Sequence, residues 1–151
     1  MKTFEIKISD IEDSLKNLDM REFDSVYVAQ IVQFNCVKLC GVLEKNIKEH
    51  IASEFMKNND LRLNTYISYI LERYSRNPSS KEIIEIYSNI DKKWIDNIKI
   101  FWSDGIKDHI DTVVNNRNRI SHGIDVDISK QQLLGYASSI NKFCSYIWDL
   151  K

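Results

Sequence analysis

One proline and four glycines are all the backbone punctuation this 151-residue chain contains. Sheets need frequent tight turns, and turns draw on Gly and Pro for dihedral angles that other residues resist. A chain this poor in both has little means of reversing direction at the short intervals an all-β fold requires. Its apolar residues instead recur at steps of three and four, the period of a helix face. The hydrophobic share of 43% and charged share of 28% are ordinary for a folded domain and argue against disorder. The expected fold is therefore all-α, about five to six helices around one long central helix. At this length, residues 1–151 are expected to form a single domain with a substantial core.

The helices can be placed from their apolar stripes. Ile8, Ile11, Leu15 and Leu18 mark a short first helix. Asp24 or Ser25 can cap a long second one reaching about Lys57, with a stripe of Ala29, Val32, Cys36, Leu39, Cys40, Leu43, Ile47, Ile51 and Phe55. Its first half is also apolar on other faces, at Val26, Val28, Ile31, Phe34, Val37 and Val42. That half is either wholly internal or meets a partner chain. Asn58-Asn59-Asp60 reads as a turn before a third helix carrying Leu63, Ile67, Ile70, Leu71 and Tyr74. Pro78 lies in a loop, and Ser79 with Glu82 forms a capping-box signature that opens a short helix. Trp94 to Trp102 suggests another helical piece ending at Asp104-Gly105, and Ser129 with Gln132 caps the last helix. The three tryptophans fall at core spacing and are expected to pack rather than stack on bases.

Between those last two breaks, Ile106, Ile110, Val113, Val114 and Arg117 share one helical face. The face that packs the core thus ends by presenting an arginine, followed after four residues by His122 and then by Gly123. Arginine grips phosphate oxygens through two parallel hydrogen bonds and never loses its charge. Histidine, with an unperturbed pKa of about 6.5, can give or take a proton at neutral pH. The bland alternative is a helix C-terminus decorated with cations that favour the negative end of its dipole, with Gly123 as a mere cap.

Charge and cysteine content narrow the setting. A net charge of -1 excludes a generally basic nucleic-acid binder, so any anion site must be a local cluster. Three cysteines are an odd number, and Cys36 and Cys40 sit one helical turn apart on an apolar stripe. They read as buried small hydrophobes in a cytoplasmic protein, not as a disulfide framework or metal ligands. His50 and His109 lie in charged surroundings, off metal-ligand spacing, and are expected on the solvated surface. The first residues lack the apolar run of a signal peptide, and no stretch approaches the roughly 20 apolar residues of a membrane span. No membrane partner, metal or cofactor is expected.

Arg117-Asn118, four residues in all after the arginine, and His122-Gly123 at the end of a helix resemble the signature of the HEPN superfamily, and within it the RiboL-PSP HEPN subgroup. The resemblance follows the helix order over most of the chain. The Leu39–Glu44 run is similar to an early family helix that often bears a buried acid, which makes Glu44 a candidate supporting acid. What the resemblance implies is a HEPN-like bundle that pairs as a homodimer, with both motifs in one cleft. It also implies metal-independent endonucleolytic cleavage of RNA to a 2′,3′-cyclic phosphate. Toxin and anti-phage effector are roles found among such relatives, sometimes opposed by an antitoxin or other regulatory protein.

The chemistry supports the same assignment. RNA carries its own nucleophile in the 2′-hydroxyl, so an enzyme need deprotonate it, stabilise the phosphorane and protonate the leaving oxygen. His122 is the candidate acid or base and Arg117 the candidate phosphate clamp, with Asn118 orienting the imidazole or hydrogen-bonding the phosphate. Arg119 and Lys130 are candidate substrate-binding residues, and Lys107 a further source of local positive potential. The rival reading is an inactive HEPN domain serving as a binding or dimerisation module, or as a regulator of a partner enzyme.

Overall fold

The structure, a computed structural model, describes residues 2–19, 21, 23–55, 60–74, 78–102 and 105–150. It contains, among these, helices α1 (Thr3–Lys16), α2 (Ser25–Phe55), α3 (Leu61–Tyr74), α4 (Ser80–Ser88), α5 (Lys92–Phe101), α6 (Ile106–Ser121) and α7 (Lys130–Ile147), and no strand. The seven match one by one the segments that the apolar stripes and caps mark out, and exceed the five to six expected for the bundle as a whole. Asp91 caps α5 by accepting the Lys93 N–H at 2.8 Å. The first helix starts at Thr3 instead of Ile8, since the Glu5 carboxylate reaches back to the Lys2 N–H at 2.7 Å and Phe4 is buried. The expected turn at Asn58-Asn59 lies outside the described residues.

Four helices, α1, α2, α6 and α7, form the bundle, with α2 touching the other three. Their directions follow from hydrogen bonds. The Lys130 ammonium at the start of α7 donates to the carbonyls of Lys16 and Leu18, so α7 begins where α1 ends. Asn46 donates to the Cys144 carbonyl at 3.5 Å, so α7 runs alongside α2 in the same direction. Gln33 donates to the Val126 carbonyl at 3.2 Å, which places the end of α6 beside the first half of α2. Helix α6 therefore runs antiparallel to α2.

Helix α2 is 31 residues long, about 46 Å at 1.5 Å per residue. One 18-residue window has a mean hydropathy of 1.5, enough by length and composition to cross a membrane, and 44% of that window is buried inside the protein. The bundle uses it as its central helix. The inward stripe begins at Val28, not Ala29, which is exposed. Cys36, Cys40 and Cys144 are buried free thiols, and burial pushes Cys36 up to about 12.

Helices α4 and α5 are fastened to the bundle at identifiable points. Asp111 of α6 accepts from both the backbone N–H and the hydroxyl of Ser80, each at 2.7 Å, and so holds the start of α4. A carboxylate at the positive end of a helix is favoured by its dipole and by the free N–H groups there. Asp111→Ala is expected to destabilise the protein by about 2 kcal/mol, as two hydrogen bonds to a charged acceptor are lost and Ser80 is left buried. Urea unfolding checks this; a midpoint unchanged from wild type would show that the clasp contributes nothing.

His50 corrects the sequence reading. It is buried, its Nδ1 lies 2.9 Å from the Tyr87 hydroxyl, and it packs among Tyr87, Trp94 and Trp148 with ring centroids 5.3–5.8 Å away. The charged residues flanking it in sequence face other directions on the helix. His109 is likewise half-buried, its Nδ1 2.7 Å from the Ser139 hydroxyl on α7. Trp94 and Trp102 are buried in the core and Trp148 packs against it, as their spacing predicts.

Candidate active site at the end of α6

The end of α6 is closed by its glycine. Gly123 has φ 71°, in the left-handed region that favours glycine. Its N–H bonds the Ile120 carbonyl at 3.0 Å, and the Ile124 N–H bonds the Arg119 carbonyl at 2.9 Å. This pair of bonds is the Schellman arrangement, which satisfies carbonyls the helix would otherwise leave unpaired. His122 is the capping residue, with φ -93° and ψ 11°. The loop beyond it is anchored by Gln33 through the Val126 carbonyl. Sequence reasoning missed Gln33; its signal is a polar residue between Val32 and Phe34 in an apolar helix.

His122 is exposed, and among the described residues nothing hydrogen-bonds its imidazole. Arg117 is half-buried against α2. Its guanidinium donates to the Asn118 side-chain oxygen at 3.3 Å, and no described carboxylate lies within ion-pair distance of it. The Cys40 thiol senses its charge: burial pushes that thiol up to about 11, with Arg117 opposing the shift and Glu44 adding to it. Arg117 thus lies within electrostatic reach of Cys40 on α2, and no described carboxylate forms an ion pair with it.

Other sequence candidates sort out around these two. Asn118 precedes His122 by four residues, one helical turn, and its carbonyl oxygen is engaged by Arg117. Arg119 is exposed and donates to the Asp125 carbonyl at 3.4 Å, bracing the loop. Lys130 does not project towards the motif as a free cation, because its ammonium caps the end of α1. The Glu44 carboxylate is half-exposed and pairs with Lys48 at 2.7 Å, not with Arg117. Lys107 stands at the opposite end of α6 from His122, about 22 Å away at 1.5 Å per residue. It adds no local potential at the motif. Among the described residues, no group of three or more His, Cys, Asp or Glu side chains could hold a metal.

Five positions separate Arg117 from His122, which turns the two side chains about 140° apart around the helix axis. One protomer therefore presents a phosphate clamp and a proton carrier on diverging faces of a single helix end. A family model for RiboL-PSP-HEPN matches residues 3–150. The chain belongs to the RiboL-PSP-HEPN family. No curated protein and no solved structure gives a match. In this HEPN domain the Arg117–His122 motif lies at an end of the bundle where, among the described residues, apolar side chains of α2 are exposed. Val26 and Phe34 are 63% and 64% exposed there, with Phe23 and Tyr27 beside them and Ile124 exposed just past the motif.

Proposed function

We propose that this HEPN domain is a metal-independent endoribonuclease whose active site is shared between two copies of the chain. The observation that carries the reading is Arg117: a half-buried guanidinium without a carboxylate partner, one turn and a half before an exposed, unbonded imidazole at a glycine-fixed helix end. A stability role would give such an arginine an acid to pair with. One without an acid, sharing a helix end with a proton carrier, is equipped for a phosphodiester.

The diverging faces of α6 support a site completed by a second copy. The exposed apolar stretch of α2 around Val26, Tyr27 and Phe34 lies at the same end of the bundle as His122, joined to the motif loop through Gln33. Isologous pairing through that face brings two copies of the motif to one cleft. One neutral His122 removes the proton from the RNA 2′-hydroxyl, whose oxygen attacks the adjacent phosphorus. The two Arg117 guanidinium groups stabilise charge on the non-bridging oxygens of the phosphorane. The other His122, protonated, delivers its proton to the departing 5′-oxygen. The products are a 2′,3′-cyclic phosphate and a free 5′-hydroxyl, with the two histidines exchanged in protonation state. Arg119 lies beside this cleft to hold flanking backbone. Growth arrest, as toxin or anti-phage effector held in check by a partner protein, is the biological role this activity fits.

The test is cleavage of a mixed-sequence RNA in EDTA by wild type and His122→Ala. Wild type is expected to leave cyclic phosphate ends, and the variant to lose about a thousandfold or more in rate, the scale of removing proton transfer. Absence of cleavage by wild type, or equal cleavage by both, would overturn the assignment and favour the binding-module reading.

A further inference from the structure

Gln33 of α2 spends its side-chain amide on the loop that follows the motif. It is half-buried, between buried Val32 and exposed Phe34, and its Nε2 donates to the Val126 carbonyl at 3.2 Å. Val126 is itself buried and lies between α6 and α7, where no helix ladder supplies its carbonyl with a partner. A buried carbonyl left unpaired is costly, so this bond has a strong reason to persist. Among the described residues, no other hydrogen bond joins residues 122–128 to a helix other than α6.

The near end of the loop is held by α6 alone. The Gly123 and Ile124 N–H groups bond the Ile120 and Arg119 carbonyls, and the Arg119 guanidinium reaches the Asp125 carbonyl at 3.4 Å. His122 therefore stands at the start of a short segment pinned to α6 at one end and to α2 at the other. Its imidazole is exposed, and no described group hydrogen-bonds it. Nothing among the described side chains orients the ring, so the backbone that carries it must. Arg117 differs, because it lies inside α6 and half-buried against α2, and takes none of its placement from the loop.

We infer that Gln33 is a positioning residue for RNA cleavage: by holding the Val126 carbonyl it fixes where His122 stands relative to Arg117 and to the paired copy. This inference rests on the endoribonuclease reading above. Gln33 touches no substrate, and its effect passes through the loop to the imidazole. It also precedes Phe34 in sequence, so the helix that offers the exposed apolar face is the one that holds the motif loop. Losing the donor is expected to slow proton transfer while Arg117 and Arg119 still hold the strand. The loss then falls on kcat and not on KM.

Gln33→Met keeps the length of the side chain and removes the donor, and Gln33→Lys restores a donor of similar reach. Both are compared with wild type in the full chain. Cleavage of a mixed-sequence RNA in EDTA is expected to show kcat lowered about ten- to a hundredfold in Gln33→Met, the scale of a small misplacement of a reacting group, with KM little changed. Gln33→Lys is expected to recover most of that rate. The chain has three histidines, so the His122→Ala spectrum assigns the His122 imidazole proton resonances directly. In Gln33→Met these are expected to shift, while those of His50 and His109 stay in place. Sedimentation velocity is expected to show the variants pairing as wild type does. Equal kcat in Gln33→Met, a loss confined to KM, or an unmoved His122 resonance overturns the inference and leaves the endoribonuclease reading intact. Movement of all three histidines, or a monomeric Gln33→Met, also overturns it, by making Gln33 a general support of the fold or a pairing contact. Absence of cleavage by wild type overturns the endoribonuclease reading itself, and this inference with it.

Discussion

Phe34→Glu is expected to leave the protein folded, make it monomeric, and lower RNA cleavage about a hundredfold or more at micromolar concentration. The residue is 64% exposed, so its ring contributes little to the stability of one chain. Substitutions at such positions usually change stability by within about 0.5 kcal/mol. At a paired α2 face the same glutamate, even beside Lys38 one turn on, places a desolvated charge from each copy in the apolar contact. On the proposed mechanism the pairing is lost, and with it the second His122 and Arg117 of the shared site. Sedimentation velocity and a cleavage assay on the same sample read both halves of the prediction. A monomeric variant with full activity would show that one motif suffices, and a variant that remains dimeric would place the interface elsewhere.

The largest loss of stability from a single truncation is expected at Phe143. Its side chain is 0% exposed on α7, with Phe101 at 6.5 Å and Trp102 at 5.9 Å between ring centroids. It joins the end of α5 to the bundle, in the region where Phe101 also stacks on Tyr146 at 4.0 Å. Phe143→Ala removes that ring from a site bounded by helices that cannot collapse into the space. A reduction of about 3–5 kcal/mol is expected, the range for aromatic truncations in cores. Total stabilities of such domains are about 5–15 kcal/mol, so the variant stands near the threshold of folding at 37 °C. Phe143→Leu, which refills most of the volume, is expected to retain at least half of the lost stability. Denaturant titration of the pair checks this; equal and small losses would mean that this part of the core is loosely packed.

The parts of this molecule legible in its sequence are those that local chemistry decides. Ser79 with Glu82 and Ser129 with Gln132 form capping boxes where their spacing predicts them, and Gly105 and Gly123 stand at the two positive-φ breaks bounding α6. The family was legible for the same reason, since its motif is a contiguous helix end. Residues whose roles depend on distant partners were not. His50 looks solvated among Lys48, Glu49 and Glu54, yet its hydroxyl partner is Tyr87, 37 residues away. Lys107 shares a helix with Arg117, and only the length of that helix sets it about 22 Å from His122. On α2, Phe34 and Val32 are equally apolar, but one is exposed and the other buried. Composition cannot separate a core face from an exposed one when a helix is apolar on several sides. Lys130 was read as a cation near the motif because the carbonyls it caps, at Lys16 and Leu18, lie more than a hundred residues earlier in the chain.

The claim that two motifs share one cleft is tested most directly by dilution. Wild-type chains are mixed with a ninefold excess of His122→Ala, allowed to exchange partners, and assayed for RNA cleavage per wild-type chain. If each cleft needs a histidine from both copies, only pairs of wild-type chains cleave. Random pairing then leaves about one-tenth of the undiluted activity per wild-type chain. Activity per wild-type chain that stays constant on dilution would show that each motif works alone, and would contradict the shared site.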